Sequence, residues 1–449
     1  MPPAPFSMRI KANNFRSIKS LDCEIGAGIN VLVGSNGSGK TNIVSLLEFI
    51  SNFINSGLHT AISKSGGALR VFPTELISDS LHSKCKLFCE ISGTISADDI
   101  RSFDFKNNNI LPCTIEYKYY VSISIDKETF KVSVEEEYIS WKKTSDTQST
   151  IVGTVSSSKS GKKNIFSPGG KIDPIKIMNE DFYNQISSIT DFDQSNIKDM
   201  KKSTLENNSF FKLPGIMMYP DIRQIRDALK FDRSFNISPL KVRMPEDIAS
   251  RKSISDDGSG VISKLYDLKN RSEKGKNRKR DKSTSTYEKI CQNFSQVNDN
   301  VIGIDVLANV ATGKYECFVN MGDRNKPLRL PLTAVSDGTA KWLAILTIAR
   351  TRGTGGYCIE EPENYLHPSA QRMFLQILRD TCKSKNNKFY IVTTHSETIV
   401  NCTDVREIII TEIENNGTVT RKVSNPEEVQ NALNETGFGL GFLYSNERL

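Results

Sequence analysis

The sequence predicts an α/β protein: a parallel sheet built around a phosphate-binding loop, split by a large insertion and accompanied by an antiparallel β subdomain. Three observations predict it. Residues 31–41, VLVGSNGSGKT, run from an apolar strand into a glycine-rich turn, and the NIVSLLEFI that follows has helical period. From residue 301 onward apolar strands alternate with helical patterns, which is the signature of a parallel sheet. Between 84 and 142 long stretches alternate apolar and polar residues, as antiparallel strands with one solvated face do.

Each element follows from local pattern. Residues 8–33 read as three strands, MRIKANNF, LDCEIGAG and INVLVG, with turn signals at Arg16-Ser17 and Gly26-Ala27-Gly28. Residues 41–55 read as a helix with Ile43, Leu46, Leu47 and Ile50 on one face. Residues 56–83 are loop-like, with SKSGGALRVF at the centre. KCKLFCEISGTI, TIEYKYYVSISID and ETFKVSVEEEYISWK follow as strands, the last two forming a hairpin through Asp126-Lys127. Serine, lysine and glycine dominate 143–172, which reads as a flexible loop. Residues 173–235 carry mixed helical and irregular signals, DIRQIRDALKF being the clearest helix, and another helix is expected after Gly258-Ser259-Gly260. Next come the strands IGIDVLANV, KYECFVNM and LRLPL, the helix DGTAKWLAILTIART, the strand GYCIE, the helix HPSAQRMFLQILRDTC and the strands KFYIVTTH and REIIITEI. This run is expected to complete the parallel sheet. The expected division is therefore 1–142, the first half of the core with the antiparallel subdomain; 143–300, an inserted lobe; and 301–449, the second half of the core.

Composition narrows the class. A hydrophobic content of 37% over 449 residues is enough for packed cores. No run approaches 18 apolar residues, so no membrane-spanning helix and no membrane partner are expected. The start, MPPAPFSMRIKANNF, lacks the basic and apolar segments of a signal peptide, and Met8 is an alternative start. Nine scattered cysteines without a CxxC pair, and four histidines at no metal-ligand spacing, point to free thiols in a reducing cytoplasm. A net charge of +7 permits a polyanionic partner. The densest run, NRSEKGKNRKRDK at 270–282, carries Arg271, Lys274, Lys276, Arg278, Lys279, Arg280 and Lys282 with no interleaved aromatic. It reads either as a solvated loop or as a contact for phosphates or an acidic surface, without base stacking.

The phosphate loop, Gly34-Ser35-Asn36-Gly37-Ser38-Gly39-Lys40-Thr41, is G-x-x-x-x-G-K-[ST] in its required strand–turn–helix context. Glycines let backbone N–H groups curl around a polyphosphate, and the helix N-terminus at Thr41-Asn42 adds unpaired donors and a positive dipole end. Lys40 is expected on the β/γ-phosphates and the Thr41 hydroxyl on Mg²⁺. The strand Tyr357-Cys358-Ile359 ends in Glu360-Glu361-Pro362-Glu363. Paired carboxylates at a strand end suit a metal-shell residue, Glu360, followed by a residue that orients or deprotonates water, Glu361.

EEPENYLHP resembles the Walker B segment and D-loop of ABC-type ATPases of the SMC/RecF/OLD group. LTAVSDGTAKWLAIL resembles their signature segment, with Ser336-Asp337-Gly338-Thr339 at its heart. YIVTTHSETIV resembles the switch-histidine strand, with His395 at its end, and NNFRSIKSL, which carries Arg16, resembles their first strand. The resemblance covers roughly 8–95 and 300–410, in the family's order. It implies a split ABC-ATPase head with a RecA-like sheet. It implies ATP and Mg²⁺, with Glu361, His395 and Lys40 catalytic, Thr41 and Glu360 at the metal, and Arg16, the phosphate loop through Asn42, and Ser336 to Thr339 at the nucleotide. In this group the signature caps the ATP of a second protomer, so it also implies a homodimer or higher homo-oligomer held by sandwiched ATP. Two departures point to slow or regulated hydrolysis: Glu360 replaces the usual Asp, and no Gln lies between Thr41 and Gln148.

The insertion shows no sustained heptad pattern, so a long-armed SMC protein is not expected. After Asp380 only Asp404 remains as an aspartate, too few for an OLD nuclease cluster. The expected function is that of the ATPase subunit of a bacterial antiphage system of PARIS or Septu type. It would hold or release a separate Toprim- or HNH-type nuclease, with an acidic phage trigger protein or DNA as a further partner. The alternatives are a RecF-like repair ATPase acting on DNA and an ATP-binding scaffold with little hydrolysis.

Overall fold

The computed structural model describes residues 6–78, 83–95, 102–103, 110–111, 113–145, 150–158, 209–212, 220–249, 253–276, 284–323, 325–351, 356–383, 389–437 and 439–446. The architecture is α/β with mixed sheets. One six-stranded sheet runs in the order Phe231–Phe235, Gly356–Glu360, Phe389–Thr394, Gly28–Val33, Ile408–Glu414 and Gly417–Lys422. Its first five strands are mutually parallel, and the last returns as an antiparallel hairpin. GINVLV and FYIVTT are almost wholly buried, as strands covered on both faces must be. The second sheet is antiparallel: Ile18–Gly26, Ser7–Phe15, Lys84–Ile95, Cys113–Asp126, Val132–Ser145 and Thr150–Ser158.

Two cores flank the parallel sheet. The helix Lys40–Ser56 lies between the two sheets. Its Ile43, Leu46, Leu47, Phe49 and Ile50 pack with Leu32, Ile391 and Ile409 from one side and with Ile10, Leu87 and Val121 from the other. On the opposite face Val31, Val33, Ile359 and Val392 pack against the helices Asp337–Arg350, Pro368–Lys383, Val261–Lys276 and Thr286–Ser295. Successive residues of one strand thus serve different cores, because strand side chains alternate. No helix among the described residues is long and apolar enough to cross a membrane.

Four expectations need correction. Residues 56–83, read as loop-like, carry the short helices Leu58–Lys64 and Thr74–Ser78. The strands Val301–Asn309, Lys314–Asp323 and Lys326–Pro331 do not join the parallel sheet; they form a separate antiparallel sheet with Glu246–Asp247. Their connections are hairpin-short, whereas a parallel pairing needs a crossover of a dozen residues or more. Phe231–Phe235, read as part of a mixed helical and irregular stretch, is instead the edge strand of the parallel sheet. Its FDRSF alternation looks polar because only Phe231, Ser234 and Phe235 are buried. Residues 150–158, read as flexible loop, pair with Glu136–Thr144 as an edge strand, Ile151, Val152 and Val155 being good strand formers. The rest of that loop, and Arg278 to Lys282 of the basic run, lie outside the described residues; Arg271 is paired with Asp267 one helical turn back.

Candidate functional site

Strand register brings the predicted segments to one edge. Thr394 lies beside Val33, and Glu360 beside Thr393. Gly34, the Glu360-Glu361 pair and His395 therefore emerge together at the carboxyl ends of three adjacent parallel strands, where open α/β sheets bind ligands.

The phosphate loop is shaped by its neighbours as well as by its glycines. Gly39 has φ +97°, and a Cβ there would sit 2.0 Å from Thr418 Oγ1. Thr418 Oγ1 is 2.7 Å from Ser17 Oγ, which accepts from Asn42 Nδ2 at 2.6 Å. The turn after the first strand and the C-terminal hairpin thus buttress the loop from behind. Ser35, Asn36 and Gly37 are exposed at its rim, whereas Ser38 and Lys40 are buried. The Ser38 hydroxyl has no hydrogen-bond partner among the described residues. Lys40 Nζ donates to the carbonyls of Gly34 (2.7 Å) and Ser35 (3.0 Å). Burial lowers the Lys40 pKa, while Glu361 and Glu363 oppose the shift. An orphaned hydroxyl, a buried ammonium resting on the loop's own carbonyls and an exposed glycine-rich rim fit a polyphosphate ligand. Arg16, in the left-handed region at φ 51°, bonds Ser45 Oγ at 2.9 Å and the Ser65 carbonyl at 3.4 Å. It therefore grips the helix one turn beyond Thr41, and burial lowers its pKa.

The carboxylates divide by role. Thr41 Oγ1 donates to Glu360 Oε2 at 3.2 Å, which joins the two expected Mg²⁺ ligands directly. The other oxygen, Glu360 Oε1, accepts from Ser234 Oγ, whose backbone N–H donates to Glu48 Oε1 at 2.6 Å. Burial raises the Glu48 pKa, and the backbone bond from Ser234 opposes it. Bound Mg²⁺ would supply charge neutralisation of the phosphates, with Thr41 and Glu360 as its protein ligands.

Glu361 sits at φ 41°, a conformation that costs a side-chain-bearing residue about 1–3 kcal/mol and persists only when over-determined. Its N–H donates to the Thr393 carbonyl (2.9 Å), its carbonyl accepts from Lys341 Nζ (2.9 Å), and its Oε2 accepts from Asn364 Nδ2 (2.9 Å). Glu363 is buried: its Oε1 accepts from Thr394 Oγ1 (2.8 Å) and the His395 N–H (3.0 Å), and lies 3.3 Å from His395 Nδ1. The His395 ring is about half exposed, so one edge is held and the other is free for a ligand.

Ser336 is exposed and caps the helix Asp337–Arg350, accepting from the Thr339 N–H at 3.2 Å. Asp337 is paired with Arg243 at 2.8 Å. Gly338 packs so closely that a Cβ would lie 2.4 Å from the Tyr365 carbonyl. The signature-like turn is therefore seated on the turn that follows Glu361. Sequence reasoning missed Ser17, Ser234, Lys341, Glu363 and Thr418. Glu363, Ser17 and Lys341 stood inside the quoted EEPENYLHP, NNFRSIKSL and LTAVSDGTAKWLAIL without a role of their own; Ser234 and Thr418 carry no motif, and only packing brings them in.

Residues 8–400 match the family model for the AAA ATPase domain. The chain belongs to the AAA ATPase domain family. Short stretches also match curated DNA replication and repair protein RecF sequences. One is 50% identical over 38 residues, in Porphyromonas gingivalis, and another 41% over 44 residues, in Actinobacillus pleuropneumoniae. These cover 8% and 10% of this chain, and the match spans only about a tenth of each relative's length. Among solved structures, a SMC head bound to the C-winged helix domain of ScpA is similar over 94% of this chain and 98% of its own, at 12% identity and a TM-score of 0.46. The SMC head domain from Thermotoga maritima is similar over 93% and 98%, at 10% identity and a TM-score of 0.37.

Proposed function

We propose that this AAA ATPase domain protein binds Mg²⁺-ATP at Gly34–Asn42 and hydrolyses it slowly, as a switch. The observation that carries this reading is the Thr41–Glu360 hydrogen bond. It brings the loop's hydroxyl to a carboxylate 319 positions away, with Glu361 next in the chain. Lys40 neutralises the phosphates, Glu361 orients or deprotonates water, and His395 contacts the terminal phosphate or that water. The turnover test is direct: Mg²⁺-ATP is hydrolysed by the wild type, and Lys40→Ala abolishes nucleotide binding. Retained affinity in that variant refutes the loop assignment.

The wider role we infer is a cytoplasmic antiphage switch. Two heads pair through sandwiched ATP, each offering Ser336 to Thr339 to the other's nucleotide, and so hold or release a separate nuclease. Support comes from the exposed Ser336 turn and from the exposed apolar Leu240 and Met244 that flank Arg243, a geometry suited to being covered by a second copy. The RecF matches favour a second reading, a repair ATPase that binds DNA itself. Salt-sensitive duplex binding that strengthens with ATP supports that reading, and co-purification of a nuclease from an ATP-locked variant supports the first.

A further inference from the structure

The parallel-sheet core contains one buried ammonium that the proposed chemistry does not use. Lys341 lies on the helix Asp337–Arg350, five residues from Ser336, and is 2% exposed. Burying a lysine is costly unless something specific receives it. Its Nζ donates to the Glu361 carbonyl at 2.9 Å and lies 5.9 Å from the centre of the Tyr365 ring. The nearest opposing charges are Glu363 and Glu361. Glu363 in turn holds Thr394 Oγ1 and both the backbone N–H and the ring of His395, and its second oxygen is buried without a hydrogen-bond partner among the described residues. Burial lowers the Lys341 pKa to about 8.

We propose that Lys341, together with Glu363, is the positioning element that fixes Glu361 and His395 relative to the helix begun at Ser336. This rests on the ATPase reading above. The reason lies in the backbone. Glu361 occupies a left-handed conformation, and rotation of its peptide would swing its carboxylate away from the phosphate loop. The ammonium pins the carbonyl that such a rotation would move. Glu363 does the same for the histidine from the other side of the turn. Lys341 and the close seat of Gly338 on the Tyr365 carbonyl join the Ser336 helix directly to the turn that carries this pair. A displacement of that helix on engaging a ligand is therefore felt at the water-activating carboxylate and the histidine together.

Lys341 touches no reacting atom, so its removal affects turnover and spares nucleotide binding. The test compares Lys341→Met, which keeps the stem and loses the ammonium, with Lys341→Arg and with Lys341→Met/Glu363→Gln. The double variant leaves no buried charge uncompensated, so it separates folding from function. Steady-state kcat, KM for ATP and ATP affinity are measured on each. The expected result is a kcat about 10- to 100-fold lower in Lys341→Met and in the double variant, with KM and affinity within about twofold, and partial recovery in Lys341→Arg. Wild-type kcat in the double variant overturns the proposal, as does a loss of affinity equal to the loss of kcat. A wild type that binds ATP without turning it over overturns the ATPase reading and this proposal together; a normal wild type with an unaltered Lys341→Met overturns this proposal alone.

Discussion

The two large sheets bury carboxylates in opposite ways. In the antiparallel sheet Glu137 is fully enclosed and is met by neutral donors only: Tyr119 OH at 2.9 Å, the Phe210 N–H at 2.8 Å and the Ser209 hydroxyl. Desolvation wins over those bonds and raises its pKa to about 7. At the edge of the parallel sheet, Glu360, Glu361 and Glu363 meet hydroxyls, backbone N–H groups, a histidine and two buried lysines, Lys40 and Lys341. Glu137 clamps the Phe210-Phe211 pair onto the sheet, where Tyr119 meets Phe210 edge-on and Phe211 at a tilt. It is a structural carboxyl. The parallel edge keeps its carboxylates within the field of two buried ammonium groups and beside a half-exposed histidine, which suits a site that handles phosphate and Mg²⁺. Burial alone therefore does not mark a functional carboxylate; the charge of its neighbours does.

The largest expected effect breaks the parallel edge. Lys40→Ala removes the loop cation, and ATP affinity should fall about 1000-fold, roughly 4 kcal/mol, by equilibrium binding. The second prediction addresses Glu137. Its folded-state pKa is raised, so its contribution to stability is fully present below pH 4.5 and is lost as pH rises through about 7. The shift bounds the loss at about 3 kcal/mol. Denaturation midpoints at pH 5 and pH 8 should differ more in the wild type than in Glu137→Gln, and equal differences would remove the contrast between the sheets. The smallest effect concerns a second copy. Ser336→Arg should weaken ATP-driven association about tenfold, about 1.4 kcal/mol, while ATP binding to the single chain persists. Sedimentation with and without Mg²⁺-ATP reads it, and unimpaired association would place Ser336 outside the shared site.

What was legible in the sequence followed from chain proximity. The phosphate loop and its strand and helix are consecutive in the chain, from Gly28 to Ser56, and local pattern identifies them. Glu360 and Glu361 were legible because an apolar strand runs into paired carboxylates, and His395 through the resemblance of YIVTTHSETIV to a switch-histidine strand. Ser234 was hidden because its strand, FDRSF, is short, sits at a sheet edge and carries two charged residues that are only half-buried. Lys341 drew no reading of its own, because a lysine inside a helical pattern carries no sign of burial, yet that helix is buried on all sides from Ala340 to Ala349. The strands from 301 to 331 were assigned to the wrong sheet because strand patterns report a half-buried face and not the partner it pairs with.

The account stands on Glu361 acting at the phosphate loop from the far end of the chain. The direct measurement is ATP turnover by Glu361→Gln, with ATP affinity measured on the same preparation. Turnover about 100-fold or more below the wild type, with affinity within about twofold, is the predicted result. Unchanged turnover at full affinity would contradict it.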